Sequence, residues 1–155
     1  MSRVVKCAHI QMSNARSEGT VAQIKEAMIE KHIPMVIEAG EKGVQILCLQ
    51  EIFYGPYFCC EQDIKWYESA ESVPGPTTDR FSEYAKKYKM VIILPVYEVA
   101  IDGVYYNTGR CFCTYIRESR ITIVFIHPIG GVFVVNDINI LKTIIIEVVY
   151  LKSVD

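Results

Sequence analysis

A carboxylate at the end of an apolar run is the first group in this sequence able to do chemistry. In ILCLQEIFYGPYF, residues 46–58, apolar and thiol side chains lead to Gln50 and Glu51, and a Tyr-Gly-Pro-Tyr turn follows. A buried carboxylate is costly unless it is paired or neutralised. Glu51 therefore either ends a strand in water or has been placed in a pocket. The pocket reading carries function, because apolar surroundings push a carboxyl group towards neutrality and make it a usable general base. The thiols of Cys59 and Cys60 follow eight and nine residues later and read as walls of the turn. Cys7 and Cys48 sit in apolar strand patterns, where a free thiol is a small buried hydrophobe. Cys111 and Cys113 share one strand face without a second pair at CxxC spacing, so neither a metal nor a disulfide framework is expected. The histidines offer no better pairing with a thiol: His9 is mid-strand, and His32, beside Pro34, reads as a helix-start residue with a capping role. Trp66 and Tyr67 read as packing residues.

The chain has 155 residues, 51% hydrophobic and 22% charged, which suits one globular domain with a real core. A net charge of −2 and scattered basic residues give no footprint for nucleic acid. No run of about 18 apolar residues predicts a membrane span, and MSRVVKCAHIQ carries Arg3 and Lys6 where a signal peptide would be apolar. The expectation is a cytoplasmic protein with reduced thiols, no nucleic-acid partner and no membrane partner.

The elements that must position Glu51 follow from the apolar patterning. Val4–Gln11 predicts a buried strand, and Val21–Gly40 a helix with a kink or fresh start near His32–Pro34, where proline removes a donor. Gly43 closes that helix, and Val44–Leu49 predicts a second strand. Gln62–Ala70 reads as a short helix, and the threonines of PGPTT as caps for a helix over Asp79–Tyr88. Met90–Val99 and Val104–Thr114 predict strands joined by an Asp102-Gly103 hairpin turn. The β-α-β-α-β-β order means an α/β architecture with a sheet covered by helices. The text changes character near residues 109–121. About half of residues 121–155 are Ile, Val or Thr, and the window TIIIEVVYL, residues 143–151, is strongly β-prone.

A strand ending in LQEIF with an aromatic-Gly-Pro turn resembles the nitrilase, or carbon–nitrogen hydrolase, superfamily. The resemblance extends through VVKCAHIQMS, AMIEKHIPMVIEAGEKGVQILCLQEIFYGPYFC, WYESAESVPGPTT, EYAKKYKMVIILPVYE and GVYYNT, over about residues 3–108. Within that superfamily the set is most similar to the β-ureidopropionases, which hydrolyse N-carbamoyl-β-alanine to β-alanine, CO2 and ammonia. The resemblance implies an α-β-β-α sandwich, no cofactor, a small N-carbamoyl or amide substrate, a homo-oligomer, and a Glu-Lys-Cys triad. It assigns Glu51 the role of the general base that takes the thiol proton, and it puts Tyr54 and Tyr57 on the loop lining the substrate pocket.

The other triad members have no match. The family lysine stands in a segment of the type Lys-Tyr-Arg-Lys-x-His-Ile-Pro beyond the Tyr-Asn-Thr match. Here GRCFCTYIRESRITIVFIHPIGG follows, with no lysine between Lys89 and Lys142 and only a faint echo at His127–Gly131. The auxiliary glutamate after Gly-Gly is also missing, and the nucleophile's Cys-Tyr-Asp or Cys-Trp-Asp strand would fall beyond Asp155. The expectation is therefore an N-terminal portion of the domain over residues 1–120, a divergent tail over 121–155, and a chain inactive alone. The alternatives are a non-catalytic subunit associating with full-length homologues, or another family amidase such as an N-carbamoylputrescine amidase.

Overall fold

A computed structural model describes residues 3–60, 63–112 and 144–152. The first strand, β1 (Arg3–Gln11), leads through a polar loop to α1 (Val21–Glu41) and then β2 (Ile46–Leu49). Two short 3-10 turns, Phe58–Cys60 and Ile64–Ser69, precede α2 (Pro76–Tyr88). β3 (Val91–Ile101) and β4 (Val104–Phe112) form a hairpin, and β5 (Ile144–Lys152) completes a sheet of order β4-β3-β2-β1-β5. Among the described strands only β4 runs antiparallel to its neighbour. The hairpin turns at Gly103, whose φ of 78° suits a residue without Cβ. The β-prone window of the tail thus supplies β5, beside β1, while residues 121–143 and the His127–Gly131 echo lie outside the described residues.

Helix α1 has clear boundaries. Thr20 and Gln23 make reciprocal side-chain bonds to each other's main-chain N–H, at 3.1 and 3.2 Å. At the other end Gly43 N–H bonds Gly40 O and Val44 N–H bonds Ala39 O, a Schellman closure with Gly43 at φ 70°. The fresh start expected near Pro34 is absent, since α1 runs through it as one helix. The lost donor is outweighed by a buried stripe, Met28, Ile29, His32, Met35 and Val36, that spans the proline. His32 is accordingly a core residue in mid-helix rather than a cap. Helix α2 starts three residues before the expected Asp79, because Pro76 takes the first helical position, where its missing N–H costs nothing. Thr78 does cap, accepting from Gly75 N–H at 2.7 Å. The segment expected as a helix over Gln62–Ala70 is shorter and 3-10, opened by Asp63 accepting from Lys65 N–H.

Alternation along the strands sends Ala8 and Ile10, Leu47 and Leu49, and Ile92, Leu94 and Val96 to one face, where both helices pack with Phe53, Phe81 and Ala85. The row His9, Cys48 and Ile93 points to the opposite face. The described residues thus form one sheet with one helical layer, an α/β arrangement equal to one α-β half of the expected sandwich.

The two helices meet where Gly40 lies against Tyr88. A Cβ built on Gly40 would sit 2.3 Å from Cγ of the Tyr88 ring. Ala normally favours a helix over Gly by about 1 kcal/mol, but here the ring must swing away. Gly40→Ala is expected to destabilise by about 1–3 kcal/mol. In a Tyr88→Ala background the sign should reverse, as read by urea unfolding of the single and double variants.

Candidate active site

Glu51 leaves the sheet because β2 stops after four residues and the next three side chains turn inward. Ile52, Phe53 and Tyr54 are essentially without exposed surface, so the main chain rolls over and leaves Glu51 half-buried at the lip. Ile52 adopts a left-handed φ of 48° to do so. For a β-branched residue that conformation costs about 1–3 kcal/mol. Burying its side chain contributes a comparable amount, about 1.5–3 kcal/mol. The turn closes with Gly55 N–H bonded to Ile52 O at 3.1 Å.

Three ties hold this turn in place. Gln50 Oε1 accepts from Met12 N–H at 2.7 Å, joining it to the end of β1. Asn107 of β4 donates from Nδ2 to Glu51 Oε1 at 2.5 Å. Oε2 has no hydrogen bond among the described residues. The Tyr54 hydroxyl accepts from Tyr97 N–H at 2.6 Å and donates to Tyr97 O at 3.0 Å. It thereby serves the part of β3 beyond Ile93, the last residue β2 pairs with. Burial pushes the Tyr54 phenol well above its usual pKa, so it stays protonated and keeps its donor.

Of the residues expected on the pocket loop, Tyr54 shapes the site from beneath, with its hydroxyl committed to the main chain, while Tyr57 stands exposed on the lip. Cys59 is an exposed free thiol, and the side chain of Cys60 lies outside the described residues. An aromatic groove of about 510 Å³ adjoins the turn, walled by Phe58, Trp66, Tyr67 and Tyr97. Phe58 stacks on Trp66 at 5.8 Å, and Tyr97 stacks on Tyr105 at 5.4 Å. Trp66 is buried as expected, whereas Tyr67 is half exposed with its ring against Tyr105. Among the described residues no His, Cys, Asp and Glu cluster could hold a metal ion, and no helix is long and apolar enough to cross a membrane.

Sequence reasoning passed over Asn107, although it lies inside the Tyr-Asn-Thr motif. Its signal is positional: the hairpin register pairs it with Tyr97, the residue whose main chain the Tyr54 hydroxyl holds. Tyr54→Phe tests the tie to β3. It strands the part-buried N–H of Tyr97 and should lower stability by about 1–3 kcal/mol, measured by chemical unfolding.

Such an arrangement is able to take up a proton: a half-buried carboxylate, oriented through one oxygen by an amide, has its second oxygen without a hydrogen bond among the described residues. The carbon–nitrogen hydrolase family model matches residues 6–114 of the chain. A β-ureidopropionase of Arabidopsis thaliana is 39% identical over 110 residues, covering 69% of this chain and 27% of the relative. A nitrilase of Paraburkholderia phymatum is 32% identical over 139 residues, covering 79% and 38% respectively. An N-carbamoylputrescine amidase of Oryza sativa subsp. japonica is 36% identical over 75 residues, covering 48% and 25%. Among solved structures, a carbon-nitrogen hydrolase from Helicobacter pylori G27 superposes with a TM-score of 0.50 at 23% identity, over 64% of this chain and 33% of that one. The chain thus spans between about a quarter and two fifths of the length of these relatives.

Proposed function

We propose, for a chain that belongs to the carbon–nitrogen hydrolase family, that Glu51 is the general base of an amidohydrolase acting on N-carbamoyl-β-amino acids such as N-carbamoyl-β-alanine. The observation that carries this reading is the Asn107–Glu51 bond, which orients one carboxylate oxygen and leaves the other available. In the proposed step that oxygen takes the proton of a thiol as its sulfur adds to the ureido carbon. The same proton then goes to the departing nitrogen, which leaves as ammonia. Water, deprotonated by the same carboxylate, resolves the resulting thiocarbamate, returning the thiol and releasing an N-carboxy-β-amino acid that loses CO2 to give the β-amino acid. A lysine would stabilise the oxyanion. Neither that lysine nor that cysteine has a counterpart in residues 3–112, so both would be supplied from elsewhere.

The similarity to a β-ureidopropionase favours a ureido substrate, while nitrilases and a carbamoylputrescine amidase match as well. The test is a chimera in which residues 6–114 replace the matched segment of the Arabidopsis relative. It should release ammonia from N-carbamoyl-β-alanine faster than from N-carbamoylputrescine. A folded chimera without activity would overturn the assignment of Glu51, and a reversed preference would point to the other amidase.

A further inference from the structure

The part-buried ammonium of Lys25, on α1, lies 44 and 46 residues from its two hydrogen-bond partners. Its Nζ donates to Ser69 O at 2.9 Å and to Glu71 Oε2 at 3.0 Å, and it stands 4.3 Å from the centre of the Tyr54 ring. The side chain of Lys25 is 18% exposed and that of Glu71 is 9% exposed. Glu71 has further ties through Oε2 and its main chain, while its Oε1 is buried without a partner among the described residues. Its Oε2 also accepts from Thr77 Oγ1 at 3.0 Å, and its main chain brackets β3, donating to Tyr97 O and accepting from Val99 N–H. The carbonyl of Tyr97 therefore receives two donors, the Tyr54 hydroxyl and Glu71 N–H, and Lys25 touches both residues that supply them. Tyr97 pairs in register with Asn107, the residue that holds Glu51.

We propose that Lys25 is a positioning residue for Glu51. It pins Tyr54 from the ring face and Glu71 from the carboxylate. Together they fix the Tyr97 main chain, and with it the reach of Asn107 to the turn. A cation is suited to the task because one ammonium satisfies a carbonyl, a carboxylate and an aromatic face at once, on two separate segments. A neutral side chain of the same length keeps the packing and loses all three attractions. This deepens the catalytic reading of Glu51, yet its readout needs no activity, so it stands or falls apart from the chimera experiment.

The test is the side-chain amide signal of Asn107 in a proton–nitrogen correlation spectrum of the labelled full chain, assigned by its loss in Asn107→Ala. In Lys25→Met the signal should shift and broaden, and Lys25→Arg should restore it. Met35→Ala, a cavity elsewhere in α1, should leave it in place although it destabilises the chain. An Asn107 signal unchanged in Lys25→Met, or displaced as much by Met35→Ala, would overturn the proposal. If Lys25→Met does not fold, Glu71→Gln is read instead. It weakens the hold on the ammonium while preserving the main-chain bridge to β3; a displaced signal supports the proposal and an unchanged one overturns it.

Discussion

Glu51→Gln in the chimera is expected to lower kcat/KM for N-carbamoyl-β-alanine by about 10²–10⁴-fold, the usual contribution of a positioned acid–base group. The substitution isolates basicity from shape. A glutamine amide still offers an oxygen to Asn107 Nδ2, and the inward-turned Ile52, Phe53 and Tyr54 anchor the turn regardless of what stands at the lip. Unfolding midpoints of the two chimeras should therefore coincide. The loss should appear in kcat more than in KM, because proton removal from the nucleophile matters only on the way to the transition state. Glu51→Asp retains the charge but retracts it by one methylene, which also releases it from Asn107, and should fall between the two. Full activity in the glutamine variant would exclude Glu51 as the base.

The second large effect concerns stability and lies away from the site. His32 has no exposed surface; its ring packs edge-on against Phe53 at 5.1 Å, and Nδ1–H donates to Met28 O at 2.8 Å. Nε2 is buried with no partner among the described residues. Burial holds the pKa of this imidazole down to about 4, the bond to Met28 working against that shift and the Lys31 charge adding to it. The unfolded chain takes up the proton near pH 6.5, the folded one only near pH 4, so stability is complete above the first value and falls as pH drops between them. The loss should reach about 2 kcal/mol at pH 5 and about 3 kcal/mol below pH 4. Burial lowers the pKa of His9 as well, which acts with the same sign from a partly exposed position. The carboxylates that ion pairs hold low, Glu30 beside Arg80 and Asp63 beside Lys65, contribute only at more acid pH. Urea unfolding at pH 7.5 and 5 separates these groups: His32→Leu removes the orphaned nitrogen and should flatten most of the difference. An equally steep acid limb in His32→Leu would assign it elsewhere.

Much of the fold is legible from local pattern because its elements are locally determined. β1, β2 and the Asp102-Gly103 hairpin follow from apolar runs and one turn dipeptide, and Gly43 marks the end of α1. Two of the differences occur at prolines, where two opposed rules meet. Pro34 reads as a kink or a fresh start, and the helix runs through it as one element with a buried stripe on either side. Pro76 reads as loop and is the first residue of a helix. The site divides in the same way. Glu51 stands out because a charge at the end of an apolar run is a local anomaly, and the resemblance gives it a role. Its supports do not stand out: Asn107 reaches it across 56 residues, and Lys25 meets Glu71 across 46. Such pairings are properties of sheet register and of how α1 lies on the sheet, which no window of sequence contains.

The four-residue length of β2 and the phenol of Tyr54 are two halves of one solution, and that has a consequence for how related chains can diverge. A hydroxyl that both accepts and donates reproduces for β3 what one residue of a neighbouring strand would supply, so the chain is released to carry its carboxylate out of the sheet. A relative that extends β2 by two residues has no use for the tyrosine and moves the acid away from the lip. One that loses the tyrosine while keeping the short strand exposes β3 to an unmet N–H. Strand length and tyrosine should thus be inherited as a linked pair, visible as covariation between an insertion after the Leu-Gln-Glu segment and the identity of the residue three places beyond the acid.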